Sequence, residues 1–492
     1  MTTLWHTTRR CSWMLTPGRQ RIEHLCARGV LAIGTGAPGV GGRSGSILPR
    51  DAMRRRWWSV GNAGHLREGS RTPYHAARGS SGLMGFAGSM SPGLGGAAVA
   101  TRYGLFDQPR PFRTPSRIWL GAGASIHIGD CVKELGIATG PVLLMTDPVG
   151  DRLGLAREIA SGLEKAEFRI ERYSNIPGEP SAEIADKAVA VARQLSPVLV
   201  VGVGGGSVMD VAKLSAALVH NAGSVFDYTH FVGRRFANPG VPTILVPTTA
   251  GTGAEASQNA VVTKGPLKAF ANNHPQLLAA AVILDPNLTH SLPRKVTADT
   301  GLDALSHCIE ATMSTNATGL TDLMAAQGIG LVFRALPRAY ANGEDAVARA
   351  DMLLAAYMGG LALNAGMVVG HSIAYTIANR LHTPHGFSCA LALPYTMAYN
   401  RQAAGERLRL IATAAGVEDK TVIASVGVLC QEVGIPESLR SLGLERERLP
   451  ELVEECLKQY PRPNNPRPLD AEGLVSLYTA MWEGRPAHLW QA

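Results

Sequence analysis

PVLVVGVGGGSVMDVAK, residues 197–213, sets the architecture. Its first half, residues 198–203, is apolar throughout and of strand length, the pattern of a strand covered on both faces rather than one with a wet side. Three consecutive glycines follow, Gly204, Gly205 and Gly206, and a helix opens behind them. Glycines at a strand–helix turn let the backbone approach a ligand without a Cβ in the way. Ser207 is placed to cap the helix, and Asp210 three residues on completes a capping pattern. The free N–H groups and the dipole of such a helix start favour a phosphate.

On either side the same alternation recurs. RIWLGAGASIHIGDCVKELG (117–136) reads as strand, glycine turn and helix, and PVLLMTD (141–147) as a buried strand closing on Asp147. GLAREIASGLEKA is a helix, FRIERYS a strand, and AEIADKAVAVARQL a helix. VPTILVPTTAGTGAEAS (241–257) adds a strand and a hydroxyl-rich turn. Strands alternating with helices indicate an α/β domain around a parallel sheet. After Asp285-Pro286 the strand signals stop and helical patterns run to the end. The expectation is an α/β nucleotide-binding domain over 111–287 and an all-helical domain over 288–492.

Residues 1–110 differ in texture, rich in Gly, Arg, Ser and Pro and without helical or strand period. Residues 1–100 hold thirteen Arg, no Lys and three acids, a sum of +10, so the other 392 residues carry about −2 of the chain's +8. The basic balance belongs to this leader, which reads as a start placed too far upstream, with Met84 and Met90 as the true candidates, or as a mitochondrial-type transit peptide. It is no argument for a nucleic-acid partner of the body. GTGAPG (34–39) matches a dinucleotide fingerprint by letters only, since Pro38 breaks it and no helix follows. Seven cysteines scattered without CxxC spacing read as reduced thiols in a cytoplasmic compartment. The uncharged run 352–370 is long enough to span a bilayer, but it leads straight into His371 and reads as a buried helix carrying a ligand.

Two further stretches carry metal-binding residue types. In TGLDALSHCIEA (300–311), Asp303 and His307 stand four apart on one helix face. In GHSIAYTIANRLHTPHG (370–386), His371 sits in an apolar run and His385 follows Pro384. One carboxylate and three imidazoles form an O/N donor set suited to Fe(II) or Zn(II).

TADTGLDALSHCIEA, GHSIAYTIANRLHTPHG, VGVGGGSVMDVAK and VPTTAGTGAEAS, in that family's order and spacing, resemble the iron-containing alcohol dehydrogenases from about residue 114 onward. The resemblance implies a divalent ion, iron or alternatively zinc, on Asp303, His307, His371 and His385. It also implies NAD or NADP, with Gly205, Gly206 and Ser207 on the pyrophosphate and Thr248, Thr249 and Thr252 lining the cleft. Asp147 falls where the family places an acid on the adenosine ribose, which favours NAD over NADP because a carboxylate repels a 2′-phosphate. Hydride transfer between NAD(H) and a small primary alcohol or aldehyde is the implied reaction, in a homodimer without nucleic-acid or membrane partners.

Two positions depart from the family pattern. Where many members have a second His four residues after the His371 position, this chain has Tyr375, and His382 is the other candidate for proton transfer. GEPSAE (178–183) lacks an Asn common in relatives, while Asn259 matches a substrate-facing position. Three other enzymes of this architecture are weighed. A dehydroquinate-synthase-like lyase needs several cations, whereas residues 297–386 hold four Arg and no Lys. A maleylacetate-reductase-like enzyme tends to lack the Asp found at 303. A hydroxyacid–oxoacid transhydrogenase shares the Tyr at 375.

Overall fold

The computed structural model describes residues 110–486, apart from 266, 272 and 273. The leader up to residue 109, with Met84, Met90 and GTGAPG, lies outside the described residues. The strand read first in the sequence, β4, is the hub of a six-stranded parallel sheet. In chain order the sheet is β1 (Arg117–Leu120), β2 (Pro141–Met145), β3 (Arg169–Tyr173), β4 (Leu199–Gly204), β5 (Thr243–Pro247) and, after a separate two-stranded ribbon, β8 (Ala281–Leu284). In space the order is β1-β8-β5-β4-β2-β3, every pair parallel.

Helices cover both faces. Along β2, Val142 and Leu144 enter one core with α1 (Ile128–Glu134) and α3 (Arg157–Lys165), while Leu143 and Met145 enter the other with α4 (Ala182–Leu195) and α5 (Gly206–Leu218). This period-two division is what strand geometry imposes, and both faces being buried is why the strand reads as unbroken apolar sequence. A short helix, α2 (Pro148–Leu153), follows β2 directly, with Asp147 as its N-cap.

Beyond β8 the chain is helical: α6 (Arg294–Met313), α7 (Gly319–Ala341), α8 (Ala346–Ala362), α9 (Val369–Leu381), α10 (His385–Asn400), α11 (Gly405–Ala415), α12 (Val422–Glu432), α13 (Leu449–Gln459) and α14 (Ala471–Glu483). From Gly301 to Met313, α6 is buried on every side, and it packs against α7, α8 and α10. A helix enclosed all round is the centre of its domain. Polar side chains on it must therefore meet partners brought by other helices.

Three expectations are corrected. Ser207 does not cap α5: the N-cap is Gly205, two residues earlier, and it provides no side-chain cap. Asp210, the intended partner in that pattern, instead pairs with Lys213 at 2.9 Å and accepts from the Val261 amide at 3.1 Å. The run 352–370 is not one helix. It breaks after Ala362 into a 3-10 turn, Leu363–Ala365, and Gly366 reverses the chain at φ 73°. Asn364 locks the break by bonding both backbone groups of Arg113 at 3.0 Å and the Leu361 carbonyl at 2.9 Å. Ala346–Ala365 is long and apolar enough to cross a membrane by composition, and most of it is packed inside this fold. The structure also adds an antiparallel ribbon, β6 (Ala260–Lys264) and β7 (Leu267–Ala271), that no sequence signal marks.

Candidate metal centre and dinucleotide cleft

At the C-terminal end of β4 the glycine turn meets the loop after β5. The Thr248 amide donates to the Gly204 carbonyl at 3.0 Å, continuing the ladder past the strands. A Cβ on Gly206 would lie 2.7 Å from Thr252 Cγ2, so only glycine lets the two loops close on each other. With no side-chain cap, the first amides of α5 are left to a ligand. C-terminal strand ends are where open α/β sheets bind ligands.

That turn forms one end of a cleft of about 900 Å³. Gly206, Ser207, Asp210, Thr252 and Asn259 line its sheet side. Asp303, His307, His371, Tyr375, His382 and His385 line its helical side. Gly205, Thr248, Thr249 and Asp147 are not part of the lining. Gly205 and Thr249 touch just behind it, where a Cβ on the glycine would be 3.4 Å from the threonine side chain. Asp147 Oδ1 accepts from the Val149 and Gly150 amides, each at 2.9 Å, and so starts α2.

The imidazoles converge because three helices cross. Asp303 and His307 come from α6, His371 from the first turn of α9, and His385 is the first residue of α10. A Cβ at Gly386 would clash with the Asp299 carbonyl at 2.2 Å, so this glycine lets α10 start directly against α6. Asp303 Oδ1 then faces His307 Nε2 at 3.8 Å, His385 Nε2 at 3.8 Å and His371 Nε2 at 4.0 Å. These separations are too long for hydrogen bonds. Atoms bound to one ion at 2.0–2.2 Å stand roughly 3–4 Å apart, and the donors here are spaced that way. Asp303 Oδ1 and His307 Nδ1 are buried without a hydrogen-bond partner among the described residues. Burial acts to raise the Asp303 pKa, but the imidazoles of His307, His385 and His371 outweigh it and hold the carboxyl below its ordinary value. Burial lowers His371 and His385 despite Asp303, keeping both imidazoles in the neutral, metal-binding form. The residues fit a divalent cation.

Two neighbours of this centre escaped the sequence reading. Glu310 sits three residues after His307 on α6, within 2.7 Å of His371 Nδ1 and accepting the His371 amide at 3.2 Å. Burial raises its carboxyl to about 8. The contact occupies Nδ1 and leaves Nε2 facing Asp303, an orienting role common behind metal-binding histidines. Its signal was the i, i+3 spacing from His307. Cys389, four residues after His385 on α10, places its sulfur 3.5 Å from His385 Nε2 and 3.8 Å from His371 Nε2. The ligand atoms of Asp303, His371, His385 and Cys389 all lie within 4.8 Å of one another. Burial raises the Cys389 thiol well above its ordinary value, so it packs there as a neutral group.

Tyr375 stacks on His385, ring centroids 5.3 Å apart and 12° between planes, and meets Phe270 and Tyr460 at 5.2 and 5.1 Å. Burial raises its phenol far above the usual value, so it stays a neutral hydroxyl, able to donate a hydrogen bond, at neutral pH. His382 ends α9 in the left-handed conformation, φ 51°, and is exposed at the cleft's mouth.

The chain is similar in sequence and structure to a group of characterised enzymes. Models of "Iron-containing alcohol dehydrogenase" and of "Fe-containing alcohol dehydrogenase family, C-terminal" match residues 115–286 and 297–482. Long-chain-alcohol dehydrogenase 1 of Geobacillus thermodenitrificans is 37% identical over 377 residues, which are 74% of this chain and 95% of that protein. The crystal structure of 1,3-propanediol oxidoreductase superposes with a TM-score of 0.72 at 28% identity, over 76% of this chain and 100% of the other. Sulfoacetaldehyde reductase from Bifidobacterium kashiwanohense, solved with NAD+, superposes at 0.70 and 27% identity, over 76% and 99%. The chain thus belongs to the iron-containing alcohol dehydrogenase family, enzymes of NAD-linked alcohol and aldehyde oxidoreduction that use a divalent metal.

Proposed function

We propose that Asp303, His307, His371 and His385 hold the divalent ion, with iron favoured over zinc, and that the glycine turn at 205–207 holds the dinucleotide pyrophosphate. The observation that carries this reading is Asp303 Oδ1, buried and without a hydrogen bond, facing three imidazole nitrogens at 3.8–4.0 Å inside the cleft that also contains Gly206 and Ser207. When bound, the ion supplies Lewis-acid polarisation of a substrate oxygen, and NAD supplies the hydride acceptor.

The chain's own residues do the rest. Glu310 orients His371. Tyr375, with Phe270 and Tyr460, forms an aromatic wall that excludes water from the reacting carbon and presents a neutral hydroxyl donor. His382, exposed at the mouth, exchanges the released proton with solvent. Asn259 lines the substrate side, and Thr248, Thr249 and Thr252 shape the turn against the dinucleotide. Asp147 favours NAD over NADP through the ribose while capping α2. A homodimer is supported by the outer strand β1, which exposes Ile118 and Leu120 at the sheet edge. Five described cysteines are free thiols, which supports a reducing, cytoplasmic setting. The acid-substrate transhydrogenase stands as the second reading because Tyr375 replaces a histidine at the centre of the site.

The test is chelation followed by reconstitution with Fe(II) or Zn(II), with NADH absorbance followed against short alcohols and aldehydes. Turnover that requires metal and is lost in His371→Ala is the expected outcome. Exchange between a hydroxyacid and an oxoacid without net NADH change supports the transhydrogenase instead. A folded, metal-loaded protein silent in both assays refutes the proposal.

A further inference from the structure

Two cations enter the helical end of the cleft from outside the stretches that carry the metal-binding residues. Lys268 lies on β7, and Arg462 in the segment between α13 and α14. Residues 297–386 are cation-poor, but the folded cleft is not.

Lys268 is nearly buried and ion-paired to Glu179, whose side chain is about half exposed. Arg462 is less well matched. Its Nε donates to Ser372 Oγ at 2.9 Å, and its guanidinium carbon lies 5.9 Å from the Tyr375 ring centroid. Among the described residues no carboxylate comes within ion-pair distance of it, and its terminal nitrogens have no protein acceptor. A half-buried guanidinium left in this state is unusual, because partial desolvation weakens its hydration and nothing in the protein replaces it.

Its position shows which end of the cleft it serves. Ser372 and Tyr375 follow His371 on α9, one and four residues on, and the Arg462 charge acts on His371, Tyr375 and Glu310. The Lys268 charge acts on His385 and Cys389. Both cations therefore border the metal corner, whereas the pyrophosphate turn is on the sheet side at Gly206 and Ser207. Glu179 is ion-paired to Lys268, whereas among the described residues no carboxylate is ion-paired to Arg462, and the guanidinium fork matches a carboxylate in shape. We propose that Arg462, assisted by Lys268, binds a carboxylate on the substrate, so that the preferred substrate is a short oxo acid or hydroxy acid rather than a neutral aldehyde or alcohol. This rests on the alcohol–aldehyde reading of the same cleft. Phe270 and Tyr375, which line the cleft, cover the carbon chain between the charged group and the reacting carbon.

The test compares succinic semialdehyde with butanal, equal in carbon count, on the full metal-loaded chain with NADH. The wild type favours the acid by about tenfold or more in kcat/KM, and Arg462→Gln reduces that ratio about 10- to 30-fold, chiefly through KM. Arg462→Lys recovers part of the preference, and KM for NADH holds in both variants. Titration calorimetry of succinate onto the metal- and NAD-loaded protein gives a second readout that needs no turnover: binding to the wild type and its loss in Arg462→Gln support the proposal. A wild type without acid preference that turns over butanal overturns it while leaving the alcohol–aldehyde reading standing. A ratio or a succinate affinity unmoved by Arg462→Gln overturns it as well. A rise in KM for NADH in place of the changed ratio assigns the guanidinium to the dinucleotide and also overturns it.

Discussion

Lys213 and Asp303 are both buried charges in the neighbourhood of one cleft, and their surroundings are opposite. The ammonium of Lys213 has all three of its donors used: it pairs with Asp210 at 2.9 Å and donates to the carbonyls of Ala254, at 2.9 Å, and Asn259. Among the described residues Asp303 Oδ1 has no hydrogen-bond partner, and the imidazole nitrogens around it stop at 3.8–4.0 Å. A buried charge that the protein satisfies ties the fold together. One that it surrounds with donor atoms and leaves short is shaped for something brought from outside.

The strongest consequence bears on this contrast directly. Lys213→Met leaves Asp210 uncompensated and lowers the stability of the metal-free protein by about 3–5 kcal/mol in urea unfolding. Asp303→Asn changes the metal-free protein by less than about 1 kcal/mol but removes the stabilisation that added metal confers on the wild type. Equal losses in the two metal-free variants would undo the contrast.

A second, smaller consequence concerns the structural side. Glu255, in the loop after β5, is buried with Oε1 unpartnered, and burial raises its carboxyl from 4.5 to about 7. The folded pKa lies above the unfolded one, so between these values the folded state holds more protons. Its contribution is fully present below pH 4.5 and is lost as pH rises through about 7. The loss amounts to about 3 kcal/mol at most. Urea midpoints of the wild type and Glu255→Gln, compared from pH 4.5 to 7.5, should differ in slope, the variant being flatter in that window. Parallel profiles would count against this role.

The mildest change lies on the metal side. Glu310→Gln keeps a hydrogen-bonding group beside His371 but removes the ionisable carboxyl, and it weakens metal affinity about 10- to 100-fold by chelator competition, with the far-ultraviolet dichroism unchanged. Undiminished affinity would reduce Glu310 to a buried packing group.

Much of the architecture was readable because each element announces itself locally. Inner strands of the sheet such as Leu199–Gly204 are apolar on both faces, and helices such as Ala182–Leu195 alternate with them at clear spacing. Asp303 and His307 share one helix, and helical period alone places them together. The capping pattern at Ser207 misled because Asp210 found stronger partners in Lys213 and the Val261 amide, both held there by tertiary packing. The run 352–370 misled because the break in it is made by Asn364 bonding to Arg113, some 251 residues away.

The sheet, the helical half, the glycine turn and the four metal-binding residue types are all encoded by neighbours within a few turns or one strand, so the chain's letters suffice for them. That Glu310 meets His371 across helices, that Cys389 joins the centre, that Tyr375 lies flat on His385, and that Lys268 and Arg462 bring charge to its border emerged only on folding. Periodicity specifies which side chains share a face of one element. Which faces meet across helices is set by how those elements pack, and no spacing along the chain records it.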